Sequence, residues 1–447
     1  MKTVGIIAEY NPFHNGHAYL LHKARQITGA DHCIVIMSGN YTQRGEPALM
    51  DKYERTKMAL AGGADLVLEL PVCFSCASAS RFADGAVSLL DALGVVDNLV
   101  FGSECGEIRL LEEVASLLAP ESPAYAGLLR EKLRLGYSYP LAQATALQDC
   151  IRSARPGRLH TLDDTALSLL LSSSNNILGI EYCKSLRTRG SSIRPITIAR
   201  RGSYLNCALP AGHDDSVYAS ATAVRTALLA ERLPKPDTGA AWPGALSAAD
   251  FFAGEAGQTL HRHIPDYVYE IMQESYGRTF PISPDMLSQM LHYKLLSEAG
   301  AGFAHYLDVS DDLSDRIRRL LPHYRSFTCF CMLLKTKEVT YSRISRSLLH
   351  ILLQIRTADL QQAESQGIPY ARMLGFRQSA APLLTALKAS ASIPLISKLA
   401  DAENYISQEA AKLLQKDIQA AHLYNALILH AYGTLLPEET RRQIVRV

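Results

Sequence analysis

The sequence lacks the features of several large protein classes. No apolar run approaches the length of about 18 residues that a membrane-spanning helix needs. Cysteine is sparse, since nine cysteines are scattered over 447 residues, which excludes a disulfide scaffold and indicates reduced thiols in a cytosol. Charge of neither sign is in excess, because 45 Lys and Arg stand against 44 Asp and Glu. A nucleic-acid-binding function would therefore have to depend on local basic patches.

Apolar side chains, in contrast, are plentiful. Hydrophobic residues make up 48% of the chain, which excludes wholesale disorder and suffices for sizeable cores. Near the N-terminus the short apolar run Val4–Ala8 is followed at once by polar residues, without a small-residue cleavage site, so it predicts a buried strand rather than an export signal. We expect a cytoplasmic protein without membrane contact, and no pattern points to an obligate protein partner.

The first 110 residues alternate short apolar runs with helical patterns. Strands are predicted at Val4–Ala8, Cys33–Met37, Ala64–Leu70 and Asn98–Phe101, with a further candidate at Ser192–Ala199. Helices are predicted between them at Asn15–Ile27, Asp51–Gly62 and Ser80–Leu93. Strand, helix and strand at this spacing indicate right-handed βαβ units and a parallel sheet, so the predicted fold class is α/β.

A stretch rich in Pro and Gly over residues 233–247 marks the main boundary in the chain. After it, helical patterns dominate and clear strand alternation is absent. We therefore predict a catalytic α/β domain over residues 1–235 and a mainly α-helical domain over residues 245–447.

The string EYNPFHNGH, Glu9 to His17, joins the first predicted strand to the first predicted helix. His14 and His17 are three residues apart and would share one face of the first helical turn, while Gly16 lets a ligand approach the backbone. A helix N-terminus attracts phosphate, and two imidazoles beside it can donate hydrogen bonds as negative charge develops. We predict that His14 and His17 are catalytic. Zinc is the rival interpretation of HxxH, but no third His or Cys ligand lies nearby in an obvious pattern.

A second string, Ser220 to Arg225 (SATAVR), has the composition of a helix start that contacts phosphate. Ser220 could cap the helix, Thr222 could donate to phosphate and Arg225 could pair with it. A plain helix cap is the alternative. The short cysteine pairs Cys73/Cys76 and Cys329/Cys331 lie in apolar runs, so we interpret them as buried thiols rather than metal ligands.

Both strings resemble motifs of the HxGH nucleotidyltransferases. Further strings occur in order at residues 38–48 (SGNYTQRGEPA), 101–104 (FGSE) and 175–182 (NNILGIEY). Together with residues 9–17 they resemble the bacterial tRNA(Met) cytidine acetate ligase family, and the resemblance spans most of the chain. It implies an N-terminal Rossmann-like parallel-sheet nucleotidyltransferase domain followed by a helical domain that binds tRNA.

The resemblance also implies a two-step reaction. ATP and acetate form acetyl-adenylate and pyrophosphate, and the N4 amine of the wobble cytidine of elongator tRNA(Met) then takes the acetyl group, giving N4-acetylcytidine and AMP. Mg²⁺ is expected with ATP. Glu9 is the nearest acidic candidate for it, with a structural residue hydrogen-bonded at the strand end as the alternative.

The ATP contacts implied by the resemblance begin with a continuous stretch that contains the two histidines: Ile7, Ala8, Glu9, Tyr10, Asn11, Pro12, Phe13, His14, Asn15, Gly16, His17, Ala18, Tyr19 and Leu20. Later contacts are Gly102, Asn175 and Arg200, with Arg201 beside it as the alternative, and Ser220, Thr222 and Arg225 would guide pyrophosphate. Strand order further suggests Asn40, Gln43 or Arg44 for acetate, with tRNA as an alternative contact for Arg44.

Two local charge excesses could form a tRNA footprint. Residues 184–201 contain six basic residues and no acidic one. Residues 316–346 contain eight basic residues against Glu338 alone: Arg316, Arg318, Arg319, Arg325, Lys335, Lys337, Arg343 and Arg346. Tyr324, Phe327 and Tyr341 lie among the latter and could stack on unpaired bases. Solvated helix faces are the alternative explanation.

Two competing functions remain open from the sequence. The HxGH and SATAVR strings alone would also suit a cofactor-type nucleotidyltransferase that joins a nucleotide to a small phosphorylated substrate. A non-catalytic RNA-binding factor with a relic nucleotide pocket is the third hypothesis. Acetate dependence of ATP–pyrophosphate exchange separates the ligase from both.

Overall fold

The computed structural model describes residues 1–119, 123–153, 157–200, 209, 218–230 and 248–447. These residues form one eight-stranded sheet. Its strands are β1 (Thr3–Ala8), β2 (His32–Ser38), β3 (Leu66–Leu70), β4 (Asn98–Ser103), β5 (Arg194–Ala199), β6 (Ala371–Phe376), β7 (Leu395–Ile396) and β8 (Val445–Arg446).

Helices cover most of the remaining described chain. Those before residue 231 are α1 (Asn15–Thr28), α2 (Lys52–Ala61), α3 (Val72–Ser75), α4 (Ala79–Ala92), α5 (Ile108–Leu118), α6 (Pro123–Arg134), α7 (Tyr139–Ser153), α8 (Asp164–Ser172), α9 (Ser174–Arg189) and α10 (Ala221–Ala230). The later ones are α11 (Ala248–Ala253), α12 (Glu255–His261), α13 (Asp266–Ser275), α14 (Ser288–Glu298), α15 (Asp311–Leu320), α16 (Phe327–Leu334), α17 (Tyr341–Leu353), α18 (Thr357–Gln366), α19 (Ala381–Ser390) and α20 (Gln408–Tyr432). No described helix is both long and apolar enough to cross a membrane.

The strands follow the order β5-β4-β1-β2-β3-β6-β7, with β8 also paired to β6. The five N-terminal strands are mutually parallel, as predicted. Side chains alternate between two cores: Ile34 and Ile36 of β2 pack on one face of the sheet, and Val35 and Met37 pack on the other. Because both faces are covered, these strands appear in the sequence as continuous apolar runs.

The C-terminal part is mainly helical, as predicted, but it also contributes β6, β7 and β8, which the sequence analysis did not predict. Strand β6 runs antiparallel to β3 and extends the N-terminal sheet, with Glu69 opposite Arg372. The predicted boundary between residues 235 and 245 lies outside the described residues, so the division into two domains stays a prediction.

Four buried charged side chains join β3 and β6 to their surroundings; we call Lys52, Glu69, Arg372 and Glu439 the buried quartet. Lys52 Nζ lies 2.7 Å from Glu69 Oε1 and 2.8 Å from Glu439 Oε1, and Arg372 Nη1 lies 2.6 Å from Glu69 Oε2. Arg372 also pairs with Glu439. Burial alone would raise the pKa of Glu439, but Lys52 and Arg372 hold that pKa below its ordinary value.

Candidate active site

A cavity of about 1100 Å³ opens at the carboxyl ends of β1, β4 and β5. Its floor is formed by strand-end residues, among them Ala8, Gly102 and Ala199, and its sides by the first turns of α1, α9 and α10. This edge of a parallel sheet is where nucleotides bind in related architectures, because loops and helix N-termini converge there.

His14 and His17 form a reciprocal cap at the start of α1. His14 is the N-cap residue, and its Nδ1 accepts a hydrogen bond from Gly16 N at 3.1 Å. His17 Nδ1 in turn accepts from His14 N at 3.2 Å. The two rings stack with centroids 3.7 Å apart, and both line the cavity. The capping geometry therefore holds the two imidazoles together in the first helical turn.

This cap fixes the tautomer of both rings. A nitrogen that accepts a backbone N–H carries no proton, so each neutral imidazole holds its proton on Nε2. Burial, together with the positive charges of Arg200 and Arg225, lowers the pKa of His14 to about 3. Burial, His14 and Arg200 likewise lower the pKa of His17 well below its ordinary value. The site thus presents two neutral Nε2–H donors.

We expect the imidazole nitrogens of His14 and His17 to keep neutral chemical shifts from about pH 8 to about pH 5, the range in which ordinary histidines titrate. The lowered pKa values require this, since protonation would begin only at more acidic pH. Nitrogen-15 NMR of the histidine-labelled protein measures it, with free histidine as an internal control. Half-protonation of either ring within that range would contradict the lowered pKa values.

Aromatic side chains support the histidines from behind. The ring centroid of Tyr10 lies 4.9 Å from that of His17, and the centroid of buried Phe13 lies 5.6 Å from it. Four residues of the predicted stretch do not line the cavity: Pro12, Phe13, Asn15 and Ala18. Besides the two histidines, the residues that do line it are Ile7, Ala8, Glu9, Tyr10, Asn11, Gly16, Tyr19 and Leu20. The predicted stretch therefore divides into residues that face the cavity and residues that hold them.

Arg200 and Asn175 meet on one side of the cavity. Arg200 Nη1 donates to Asn175 Oδ1 at 3.2 Å, and Asn175 Nδ2 donates to Glu104 Oε1 at 2.7 Å. The other oxygen of Glu104 accepts from Asn176 N at 2.9 Å, so Glu104 binds the N-terminus of α9. At Gly102 an added Cβ would lie 3.3 Å from Arg200 Cγ, a tight contact that favours glycine there.

Arg225 and Thr222 also line the cavity. Arg225 Nη1 donates to the carbonyl oxygen of Asn11 at 2.7 Å, and its Nη2 donates to Thr222 Oγ1 at 3.1 Å. Ser220 does not line the cavity; its buried hydroxyl accepts from Ala223 N at 3.0 Å and caps α10. In the string SATAVR, Ser220 therefore caps the helix, whereas Thr222 and Arg225 lie at the cavity.

A far wall of the cavity comes from residues after α16. Lys335, Lys337 and Arg346 line it together with Tyr341. The other members of the predicted basic cluster do not line the cavity: Arg316, Arg318, Arg319, Arg325 and Arg343. The earlier cluster at residues 184–201 makes several contacts within the protein, such as Arg189 to Asp84 at 2.8 Å. Only part of the predicted tRNA footprint thus adjoins the histidines.

Comparisons with known proteins cover nearly the whole chain. Residues 1–435 match the family described as HIGH Nucleotidyl Transferase. The chain is 36% identical over 425 residues to the tRNA(Met) cytidine acetate ligase of Thermoanaerobacter sp. (strain X514), covering 95% of both chains. It is 37% identical over 429 residues to that of Clostridium kluyveri (strain ATCC 8527), covering 96% of this chain and 95% of the relative. The chain belongs to the tRNA(Met) cytidine acetate ligase family.

Solved structures agree with this family membership. Thermotoga maritima TmcAL, crystallised with alpha-thio ATP and also in an apo form, matches all of this chain over all of its own length, with 29% identity and a TM-score of 0.85. The α/β nucleotidyltransferase fold with a helical C-terminal region is therefore confirmed for this member of the cytidine acetate ligase family.

The acetate candidates differ in their placement. Arg44 and Gln43 line the cavity, but Asn40 is buried away from it. Asn40 Oδ1 accepts from Lys52 N at 2.9 Å and so stabilises the start of α2. The structure therefore does not bring Asn40 to the other site residues of this family member. Arg201, the alternative to Arg200, lies outside the described residues.

The sequence analysis did not identify two carboxylate residues, Glu104 and Glu46, as members of the site. Glu104 holds Asn175 at the cavity, and its only signal was its place in the FGSE string of the cytidine acetate ligase family. Glu46 lines the cavity and belongs to the string at residues 38–48. Among the cysteines, Cys73, Cys76 and Cys331 are buried, as predicted, whereas Cys329 is exposed.

Proposed function

We propose that this chain is an ATP-dependent acetate ligase that forms acetyl-adenylate and transfers the acetyl group to N4 of the wobble cytidine of elongator tRNA(Met), giving N4-acetylcytidine. The observation that carries the proposal is the reciprocal cap of His14 and His17 at the cavity, in a chain that matches cytidine acetate ligases over 95% of its length. The relatives' names supply acetate and tRNA(Met), and the alpha-thio ATP complex of TmcAL supplies the nucleotide.

In the first step, an acetate oxygen attacks the α-phosphorus of ATP and pyrophosphate leaves. Negative charge grows on the α-phosphate oxygens, and the Nε2–H groups of His14 and His17 are placed to donate to them. Because both rings are neutral and held by the backbone, they need no reorganisation as the charge develops. Arg200 and Arg225 add positive charge near His14, and Thr222 offers a hydroxyl to the leaving pyrophosphate.

Mg²⁺ would enter this reaction with ATP and offset phosphate charge. Within the described residues, no group of three His, Cys, Asp or Glu side chains could hold a metal ion. Glu9, the acidic candidate from the sequence, has its Oε1 engaged by Gln43 N at 2.7 Å. The residues present therefore fit an ion carried mainly by phosphate oxygens and water rather than by a protein cage.

In the second step, the acceptor amine must reach the same cavity. The wobble base is exposed in the anticodon loop, so no duplex has to open. Lys335, Lys337 and Arg346 on the far wall would attract the RNA backbone, and Tyr341 offers a stacking surface. The remaining basic residues of the 316–346 cluster would extend this contact outward from the cavity.

The proposal predicts that labelled acetate, with ATP and Mg²⁺, appears in elongator tRNA(Met). Transfer of label to tRNA with release of AMP is the expected result, measured by acid precipitation and nucleoside analysis. Initiator tRNA, with the same chemistry but a different anticodon arm, is the control. Acetate-dependent ATP–pyrophosphate exchange without label in any tRNA would support the adenylation step and refute tRNA as the acceptor. Exchange that does not depend on acetate would favour the cofactor-type nucleotidyltransferase.

A further inference from the structure

Two acidic side chains line the cavity among the described residues, Glu9 and Glu46. The Glu9 carboxylate accepts hydrogen bonds from Gln43 N at 2.7 Å and from Ser38 Oγ at 3.4 Å. The half-buried carboxylate of Glu46 forms no hydrogen bond or ion pair with another described residue. Arg225 and Arg44 are the cations that act on its charge. A partly desolvated carboxylate whose oxygens accept no hydrogen bond from a described residue is costly, which indicates that a substrate group donates to it.

The loop that carries Glu46 is held firmly. The backbone carbonyl of Glu46 accepts a hydrogen bond from Thr42 N at 2.9 Å, and Ser345 Oγ donates to the carbonyl of Gly45 at 2.9 Å. Gly45 has φ of +78°, and a Cβ there would collide with the backbone nitrogen of Arg346. The loop is therefore packed against α17, and Glu46 lies where the far wall meets the part of the cavity that contains Arg225.

We propose that Glu46 is the general base of the acetyl-transfer step; this inference rests on the proposed function. As N4 of cytidine attacks the carbonyl carbon of acetyl-adenylate, the C–N bond forms. The bond between that carbon and the phosphate oxygen breaks, and AMP leaves with the bonding electrons. The Glu46 carboxylate takes the proton from N4 and later passes it to water. The N4 amine needs such a base because its lone pair is delocalised into the ring.

The surroundings of Glu46 suit this task. Burial raises the pKa of Glu46 above its ordinary value, while Arg225 and Arg44 oppose the rise and Glu9 and Asp285 add to it. Burial raises the pKa values of Cys331 and Tyr341, and the charge of Glu46 adds to the rise. A base is most effective when its pKa approaches the working pH. Transfer should therefore accelerate as pH rises through the raised pKa and level off above it.

The test compares Glu46→Gln, which keeps the shape of the side chain and removes its basicity, with Glu46→Asp and with Glu270→Gln. Glu270 is exposed, does not line the cavity and lies outside the basic cluster at residues 316–346. For each protein, three rates are measured with ATP, Mg²⁺ and acetate: pyrophosphate exchange, trapping of the adenylate by hydroxylamine, and acetyl transfer to tRNA(Met) across pH. Hydroxylamine is a strong nucleophile and needs no base.

We expect Glu46→Gln to slow acetyl transfer by about 10²- to 10⁴-fold, to abolish the rising pH limb, and to leave exchange and trapping close to wild type. Glu46→Asp should transfer at an intermediate rate, and Glu270→Gln at the wild-type rate. Unchanged transfer in Glu46→Gln, or an equal loss of exchange and transfer, would overturn the inference. Absence of transfer in the wild type would overturn the proposed function itself, and the wild-type pH profile remains a test if Glu46→Gln does not fold.

Discussion

Replacing His14 with alanine is expected to slow acetate-dependent ATP–pyrophosphate exchange by about 10²- to 10³-fold. The substitution removes one of two neutral Nε2–H donors at the position where charge develops, and the loss of one preorganised donor has effects of this size. His14 is buried beside His17, with ring centroids 3.7 Å apart, so water cannot easily replace the missing donor. Exchange of labelled pyrophosphate into ATP measures the effect.

The alanine variant also removes a helix cap, which could cost about 1 kcal/mol of stability and needs a separate control. His14→Asn provides it, since its amide oxygen can accept from Gly16 N as His14 Nδ1 does. No atom of asparagine reaches the position of Nε2, so the variant should melt like the wild type and still exchange slowly. Exchange at the wild-type rate in His14→Asn would refute a donor role for this residue.

Replacing Arg372 with methionine is expected to lower the free energy of unfolding by about 3–5 kcal/mol, the usual cost of breaking a buried ion pair from one side. Arg372 is 2% exposed and contacts both carboxylates of the buried quartet. Without it, Glu69 and Glu439 share Lys52 as their nearest cation, and one negative charge stays buried without compensation. The midpoint of urea unfolding measures the loss.

Two further variants test the electrostatic explanation for the buried quartet. Arg372→Met combined with Glu439→Gln leaves Lys52 and Glu69 as a neutral pair, so it should recover part of the lost stability. Lys398→Met breaks the exposed ion pair between Lys398 and Asp401, which are 69% and 52% exposed, and should leave the midpoint unchanged. Equal midpoints for Arg372→Met and Lys398→Met would contradict the role assigned to the buried quartet.

The N-terminal half of the fold was predictable from the sequence because its strands are covered on both faces. The strands predicted at Val4–Ala8 and Cys33–Met37 differ from β1 and β2 by one residue at most at each end. The HxGH string was predictable as a site because it lies between a strand end and a helix start, which places it at the edge of the sheet. The reciprocal cap of the two histidines depends on side-chain geometry and was not predictable.

Strand β6 could not be predicted because Arg372 interrupts its apolar pattern. The charged side chain is buried only because Glu69 and Glu439 come from distant parts of the chain. The cavity has the same property: Lys335 and Arg346 reach it only through packing of the C-terminal helices, so sequence alone could not separate them from Arg318 or Arg325. Glu46 gave no signal because its significance lies in its place at the cavity, which only the folded chain shows.

The extension of the sheet by β6 has a consequence for biosynthesis. Within the described part of the chain, the edge of β3 that faces away from β2 is paired by β6, and Tyr53 hydrogen-bonds to Glu439, 386 residues later. The nascent polypeptide therefore leaves the ribosome with an open edge that could pair with a neighbouring chain. The sheet of this family member would therefore be closed at β3 only after almost the entire chain has been synthesised.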